Sequence, residues 1–404
     1  MTVSGKNTVV LHDVLVGDVW LASGQSNMEF PLQGSGEWKT GVFNAETAVS
    51  RANYPRVRLF KVHQKVALRP ATDVDADAWV AATPQTVGNF SAVAYLFGRE
   101  LHERYGIPVG LIEADWGGTV AEAWVSEAGL KAFPEFREAI DTVIRANEKT
   151  SADPASEDRA QVNNPSRPTV LFNGMIDPLL HFRIKGVIWY QGEANAIDNR
   201  SAQYRRLFPA LIEDWRSHWG YAVPFLFVQL AGYGHNEVEP AEYSWADLRE
   251  AQSMTLSLPA TGMATAIDIG DENDIHPKDK QDVAHRLVLA AAHGVYGDNV
   301  VYSGPTYQSM QIEGNRIRIK FANTGSGLAI EDKYGYGRGF EIAAGDARFH
   351  WARAQKEGND ILVFNDAVHQ PVAVRYDWSN TPDGNVYNKE GLPALPFRTD
   401  TAKH

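Results

Sequence analysis

The chain has no cysteine. Disulfides, thiolate metal sites and cysteine nucleophiles are therefore excluded, and the compartment is left open, because a protein without disulfides works on either side of a membrane. Long apolar runs are missing too: no stretch approaches the roughly 20 residues that a membrane helix needs. Positive charge is scarce, with 38 Lys and Arg against 50 Asp and Glu for a net charge of −12. That balance argues against a nucleic-acid partner, which needs a basic face, and against attraction to an anionic membrane surface. The N-terminus, Met1-Thr2-Val3-Ser4-Gly5-Lys6, lacks the basic-then-apolar order of a secretion signal and reads as a mature or trimmed form. No Gly-x-Ser-x-Gly occurs, which removes the nucleophile elbow of the α/β-hydrolases.

What is present suffices for a large core. The chain has 404 residues, of which 44% are hydrophobic, a length that suits a core domain with an appendage. Short apolar runs recur at residues 19–22, 109–112, 187–190, 225–228 and 263–267. They are too continuous for half-exposed strands and fit parallel strands buried on both faces. Helical periodicity lies between them. Tyr204, Leu207, Phe208, Leu211, Ile212, Trp215 and Trp219 form an apolar stripe at 3- and 4-residue spacing, and residues 245–256 and 279–293 read the same way. Residues 148–168, polar and rich in proline, read as a surface excursion. After about residue 298 the runs alternate, as in Arg316-Ile317-Arg318-Ile319-Lys320-Phe321, which predicts an antiparallel β appendage. The expected division is a strand stub at 1–12, an α/β domain at 13–297 and a β-rich region at 298–404.

Ligands of an open α/β sheet bind outside the carboxyl ends of its strands. Four candidate loops fall there. Gly24-Gln25-Ser26-Asn27-Met28 follows the first run, Trp116-Gly117-Gly118-Thr119 the second, Gln191-Gly192-Glu193-Ala194-Asn195 the third, and Asp271 to Pro277 the fifth. A serine hydroxyl needs a base to act as a nucleophile, and His276 supplies an imidazole suited to neutral pH. A tetrahedral intermediate needs fixed donors. The backbone N–H groups of Ser26 and of Gly117 or Gly118, with a side-chain amide from Gln191 or Asn195, are the candidates. Gln25, Trp116, Gly117 and Glu193 are candidates for substrate binding. Each loop also has a plainer reading as a turn, a cap or a structural pair. The acidic cluster Asp268, Asp271, Glu272 and Asp274 does not match the calcium-loop spacing, and no His-Glu-x-x-His accompanies it. No metal and no cofactor are expected.

On these residues the chain resembles the sialate O-acetylesterase family of the SGNH hydrolases. The matching stretches are Gly17 to Met28, Trp116 to Trp124, Phe172-Asn173-Gly174-Met175-Ile176, Gly186 to Asn195, Trp245 to Gln252, Asp274-Ile275-His276-Pro277-Lys278 and the tail from Gly391 to Asp400. The resemblance implies a flavodoxin-like α/β/α sandwich around a parallel sheet, with a β-rich C-terminal accessory region. It implies removal of acetyl groups from sugar hydroxyls, and a secreted or periplasmic setting. It also implies Ser26 as nucleophile and His276 as base, with Gly118 and the Gln191/Asn195 loop in the oxyanion hole. Two departures stand out. Many members carry a β domain ahead of the Gly-Asp-Val-Trp strand, where this chain has a stub. The superfamily pattern Asp-x-x-His finds Asn273 three residues before His276, so either Asp274 or Asn273 orients the imidazole. An acetylxylan or other plant-polysaccharide deacetylase uses the same machinery. From other classes, a glycosidase built on Glu193 and a non-catalytic sugar-binding protein are the alternatives.

Overall fold

A computed structural model describes residues 1–34, 40–152, 163–197 and 200–400. Its centre is a seven-stranded sheet. The strands, after the exposed hairpin β1 (Thr2–Ser4) and β2 (Thr8–Val10), are β3 (Asp18–Gly24), β4 (Tyr54–Lys61), β5 (Val80–Ala82), β6 (Val109–Asp115), β7 (Gly186–Tyr190), β8 (Phe225–Gln229) and β9 (Thr261–Thr265). Their spatial order is β5-β4-β6-β3-β7-β8-β9, and every pair is parallel except β4 with β5. The five apolar runs are β6, β3, β7, β8 and β9. Numbered by their place in the chain they lie in the order 2-1-3-4-5, the flavodoxin-like arrangement. Trp20, Leu21, Ala22, Leu111, Ile112, Val187 and Ile188 are fully buried, as a strand covered on both faces requires.

Strands β4 and β5 were not expected. The β4 sequence, Tyr-Pro-Arg-Val-Arg-Leu-Phe-Lys, mixes charge with apolar residues and buries only Val57 and Leu59. It has the alternation of a strand near an edge, without the continuous run that marks its neighbours.

Helices Ala92–Tyr105 and Lys280–Gly294 pack together on one face of the sheet, and Ser201–Trp219 and Ser244–Met254 on the other. The aromatic stripe of Ser201–Trp219 is core: Trp189 meets Trp215 edge-on at 5.8 Å and stacks on Phe208 at 6.3 Å. The expected excursion at 148–168 is corrected at its start. Helix Arg137–Ala152 runs through residues 148–152, because Val143 and Ala146 bury one of its faces and propagation costs little once a helix is anchored. Residues 153–162 lie outside the described residues.

From residue 306 every strand pair among the described residues is antiparallel, and none of these strands joins the central sheet. A five-stranded and a four-stranded sheet enclose a second core of Ile317, Ile319, Phe340, Ile361, Val363, Val374 and Tyr376. Arg249 fastens this region to the α/β part. Fully buried, it donates to the carbonyls of Leu230 and Ala231 and to those of Ser379 and Asn380 at 2.7–3.0 Å. The backbone N–H of Tyr233 also donates to the Asn380 carbonyl, at 3.1 Å. The β-rich region thus braces the loop that carries Tyr233.

Candidate active site

Strands β3 and β7 are adjacent in space but separated in the chain by β4, β5 and β6, which makes their carboxyl ends the switch point of the sheet. Gly24 permits the close approach there. Its φ is +140°, and a Cβ on it would lie 2.1 Å from the Tyr190 carbonyl oxygen. The next N–H, of Gln25, donates to that oxygen at 3.0 Å. The chain then turns into the one-turn helix Ser26–Glu29, and Ser26 is left 8% exposed at its start.

His276 arrives from the loop after β9. Its Nε2 is 3.0 Å from Ser26 Oγ, and its ring stacks on Phe30 at 5.9 Å. The Oδ1 of Asp274 accepts from the His276 backbone N–H at 2.9 Å and lies 3.7 Å from Nδ1. Asn273 turns away: its amide donates to Glu272 at 3.3 Å and its N–H to Asp271 at 2.9 Å.

The cleft over this pair has a volume of about 680 Å³. Gln25, Ser26, Trp116, Gly117, Gly118, Glu193, Tyr233, Trp245 and His276 line it, together with Glu29. Gly117 and Gly118 differ. The Gly117 N–H donates to Glu29 Oε2 at 2.6 Å, so that donor is engaged. Gly118 stands at φ +73° with open space where a Cβ would lie, and its N–H has no acceptor among the described residues. Gln25 lies beneath the cleft, its Oε1 accepting from Gly192 and Ala194 at 3.4 and 3.3 Å.

Gln191 and Asn195 are placed otherwise than expected. Both are fully buried and neither lines the cleft. The Gln191 amide nitrogen donates to Asn195 Oδ1 at 2.7 Å and to the Thr119 carbonyl at 3.2 Å. Asn195 Oδ1 also accepts from the Ala121 N–H at 2.9 Å, and its nitrogen donates to Glu122 at 3.2 Å. Two N–H bonds on Gln191 have two acceptors, which exhausts its donors. These amides pin the Gly117–Gly118 loop to the loop after β7.

A buried network behind Ser26 escaped the sequence reading. Lys280, fully buried, donates to Asn27 Oδ1 at 2.6 Å. Asn27 donates in turn to Glu193 Oε1 at 2.6 Å and to the Ile275 carbonyl at 3.0 Å. Asn27 therefore ties the turn that carries Ser26 to the residue before His276. Burial pulls the Lys280 ammonium down to about 7, against the pull of Glu193, Asp274 and Asp279. Burial also raises the Glu193 carboxyl, with Asn27 and Lys280 opposing. Asn27 had a signal, its place in the serine motif. Glu29 had one as well, three residues past Ser26 on the same helical face. Lys280 had none, because a lysine at a helix start reads as exposed. Within the acidic cluster, Asp268 is held by Arg286 at 2.6 and 2.8 Å. Among the described residues no group of His, Cys, Asp and Glu could hold a metal ion.

A parallel sheet in this order, with a serine and a histidine in contact at its switch point, defines an esterase of the SGNH hydrolase type. The family model described as carbohydrate esterase, sialic acid-specific acetylesterase matches residues 16–154 and 163–293, and the chain belongs to that family. It is 35% identical to the sialate O-acetylesterase of Mus musculus over 438 residues, covering 96% of this chain and 78% of the relative. With that of Homo sapiens the identity is 33% over 427 residues, covering 96% and 76%. Among solved structures it is similar to a carbohydrate acetylesterase from Xanthomonas citri, with a TM-score of 0.85 and 43% identity over 98% of this chain and 84% of that one.

Proposed function

We propose that this protein is a carbohydrate O-acetylesterase that hydrolyses acetyl esters on sugar hydroxyls through an acetyl-enzyme on Ser26. The observation that carries this reading is the 3.0 Å contact between Ser26 Oγ and His276 Nε2, joined across 250 residues of chain and open to a cleft of sugar size. His276 takes the serine proton as Oγ attacks the acetyl carbonyl. The N–H groups of Ser26 and Gly118 hold the oxyanion. The intermediate collapses, and His276 returns the proton to the departing sugar oxygen. Water, deprotonated by the same imidazole, then attacks the acetyl-enzyme, and acetate leaves. Asp274 sits on the Nδ1 side and stabilises the imidazolium formed at each step. Trp116, Tyr233 and Trp245 offer apolar faces to a sugar ring.

The test is turnover of an aryl acetate and of mono-O-acetylated sugars, including acetylated sialic acids and xylo-oligosaccharides. Wild type should hydrolyse the aryl acetate and at least one class of sugar, and Ser26→Ala should lose both by about 10³-fold or more. Full activity in Ser26→Ala would end the serine reading.

A further inference from the structure

One aromatic wall of the cleft stands on a loop that cannot hold its own shape. Residues 230–243 join β8 to helix Ser244–Met254 without a helix or strand of their own. A connection that long takes its form from what it packs against or stays disordered. Its tip, from His235 to Glu239, is exposed, so the ordering of the loop depends on partners for its backbone groups.

Those partners come from two sides. On one side is the β-rich region, where Asn380 and Thr381 lie between strands Ala373–Tyr376 and Val386–Asn388. The Asn380 carbonyl accepts from the Tyr233 N–H at 3.1 Å, and Thr381 Oγ1 donates to the Gly234 carbonyl at 2.6 Å. Asn236 and Thr381 form a two-way pair: the Thr381 N–H donates to Asn236 Oδ1 at 3.0 Å, and Asn236 Nδ2 donates to the Thr381 carbonyl at 2.6 Å. The Asn380 amide donates to the His235 carbonyl at 3.0 Å, and the Trp351 indole to that of Val238 at 2.8 Å. On the other side, the Glu272 carbonyl accepts from the Gly234 N–H at 3.1 Å. That bond joins the loop to the one that carries His276. Gly234 turns the chain between these anchors at φ +89°, a conformation that favours glycine.

What this clamp fixes is Tyr233. Its side chain is half-buried and lines the cleft with Ser26, Trp245 and His276. The ring stands 5.6 Å from that of Trp245 at an angle of 52°, and the Trp245 indole donates to the Ala231 carbonyl at 2.9 Å. The acetyl chemistry uses neither ring. An aromatic face in a cleft suits the C–H face of a sugar ring. A wall held in place before binding leaves less freedom to be lost when that ring arrives.

We propose that the β-rich region shapes substrate recognition: Asn380 and Thr381 hold the loop so that Tyr233, beside Trp245, is the face on which the sugar ring of the substrate rests. Asn236 and Thr381 are positioning residues for Tyr233. The proposal rests on the esterase reading above.

The experiment measures kcat/KM by acetate release for two esters. One is vinyl acetate, which has no ring to stack. The other is whichever of the acetylated sialic acids and xylo-oligosaccharides above wild type turns over fastest. The ratio of sugar ester to vinyl acetate separates recognition of the sugar from the acetyl chemistry. Tyr233→Ala should lower that ratio about three- to tenfold, the range of a lost aromatic contact. Thr381→Val combined with Asn236→Ala, folding checked by circular dichroism, should lower it by a similar factor through a raised KM. Thr381→Ser, which keeps the hydroxyl, should hold the wild-type ratio. Adding Tyr233→Ala to the clamp variant should lower the ratio no further, because residues that act through one ring are not additive. A ratio that survives Tyr233→Ala overturns this proposal alone. So does a clamp variant that slows both esters alike, or one whose loss adds in full to that of Tyr233→Ala. Wild type that turns over vinyl acetate but no acetylated sugar overturns the proposal together with the carbohydrate reading. Turnover of neither ester overturns the esterase reading as well.

Discussion

Replacing Asp274 by Asn tests how the imidazolium is stabilised. The side chain of Asp274 is 40% exposed, and its Oδ1 lies 3.7 Å from His276 Nδ1, longer than a hydrogen bond. Asn keeps an oxygen to accept the His276 backbone N–H, so the loop should hold and only the charge is lost. Two unit charges at this range interact by about 1 kcal/mol in water and about 4 kcal/mol at the effective dielectric of a protein surface. Partial exposure places this pair between those limits, near about 2 kcal/mol, which is roughly 30-fold in rate. The expected result is a fall in kcat of about 10- to 100-fold, well short of the roughly 10⁴-fold found when a buried, hydrogen-bonded triad carboxylate is lost. Added salt should weaken the wild type toward the variant, because an exposed charge is screened. Asn273→Ala should leave kcat within about twofold, as its amide pairs with Glu272 at the surface. Aryl acetate turnover at matched pH measures all of these. A loss near 10⁴-fold in Asp274→Asn, or a larger loss in Asn273→Ala than in Asp274→Asn, would refute the reasoning.

Three further outcomes are expected. Gln191→Ala and Asn195→Ala should each lower stability by about 1–3 kcal/mol by orphaning buried partners, and should lower kcat by less than the 10²–10³-fold typical of a lost oxyanion donor. Thermal unfolding alongside kinetics checks this, and an intact melting temperature with a large kcat loss would show a direct role. Gly24→Ala should fold poorly, because a Cβ there meets the Tyr190 carbonyl at 2.1 Å in a backbone conformation that favours glycine; soluble yield and unfolding temperature report it. Lys280 has its ammonium lowered from 10.5 to about 7 on burial. Between these values the unfolded chain holds a proton that the folded one has released. The Lys280 contribution to stability therefore grows as pH rises from about 7 to about 10.5 and is lost as pH falls back through about 7. Urea unfolding of wild type and Lys280→Met across that window should show wild type gaining on the variant toward high pH, and parallel curves would refute it.

Much of the sheet was legible because its strands are buried on both faces. That burial demands continuous apolar runs, and 19–22, 109–112 and 187–190 stand out from their surroundings for that reason. β4 was not legible, since a strand near an edge keeps its charged residues and loses the signal. The loops of the site were legible as chemistry placed after strands. The allocation of their donors was not. Gly117 and Gly118 are identical in sequence terms, yet Glu29 occupies the N–H of the first. Gln191 and Asn195 look like oxyanion amides, yet they spend their hydrogen bonds on Thr119, Glu122 and each other.

By itself the sequence determined the alternation of buried strands and amphipathic helices, the change to antiparallel strands near residue 300, and the candidate residues Ser26 and His276. These are local properties, written in periodicity and in the residue types at strand ends. Only the tertiary structure decided which groups meet. It placed His276 Nε2 on Ser26 Oγ across the switch point, set Asp274 and not Asn273 beside the imidazole, and buried Lys280 behind Asn27. Those pairings depend on crossovers that bring together segments 166 to 253 residues apart. No local pattern encodes such a distance, because contacts of that range are fixed by the packing of the whole sheet and its helices.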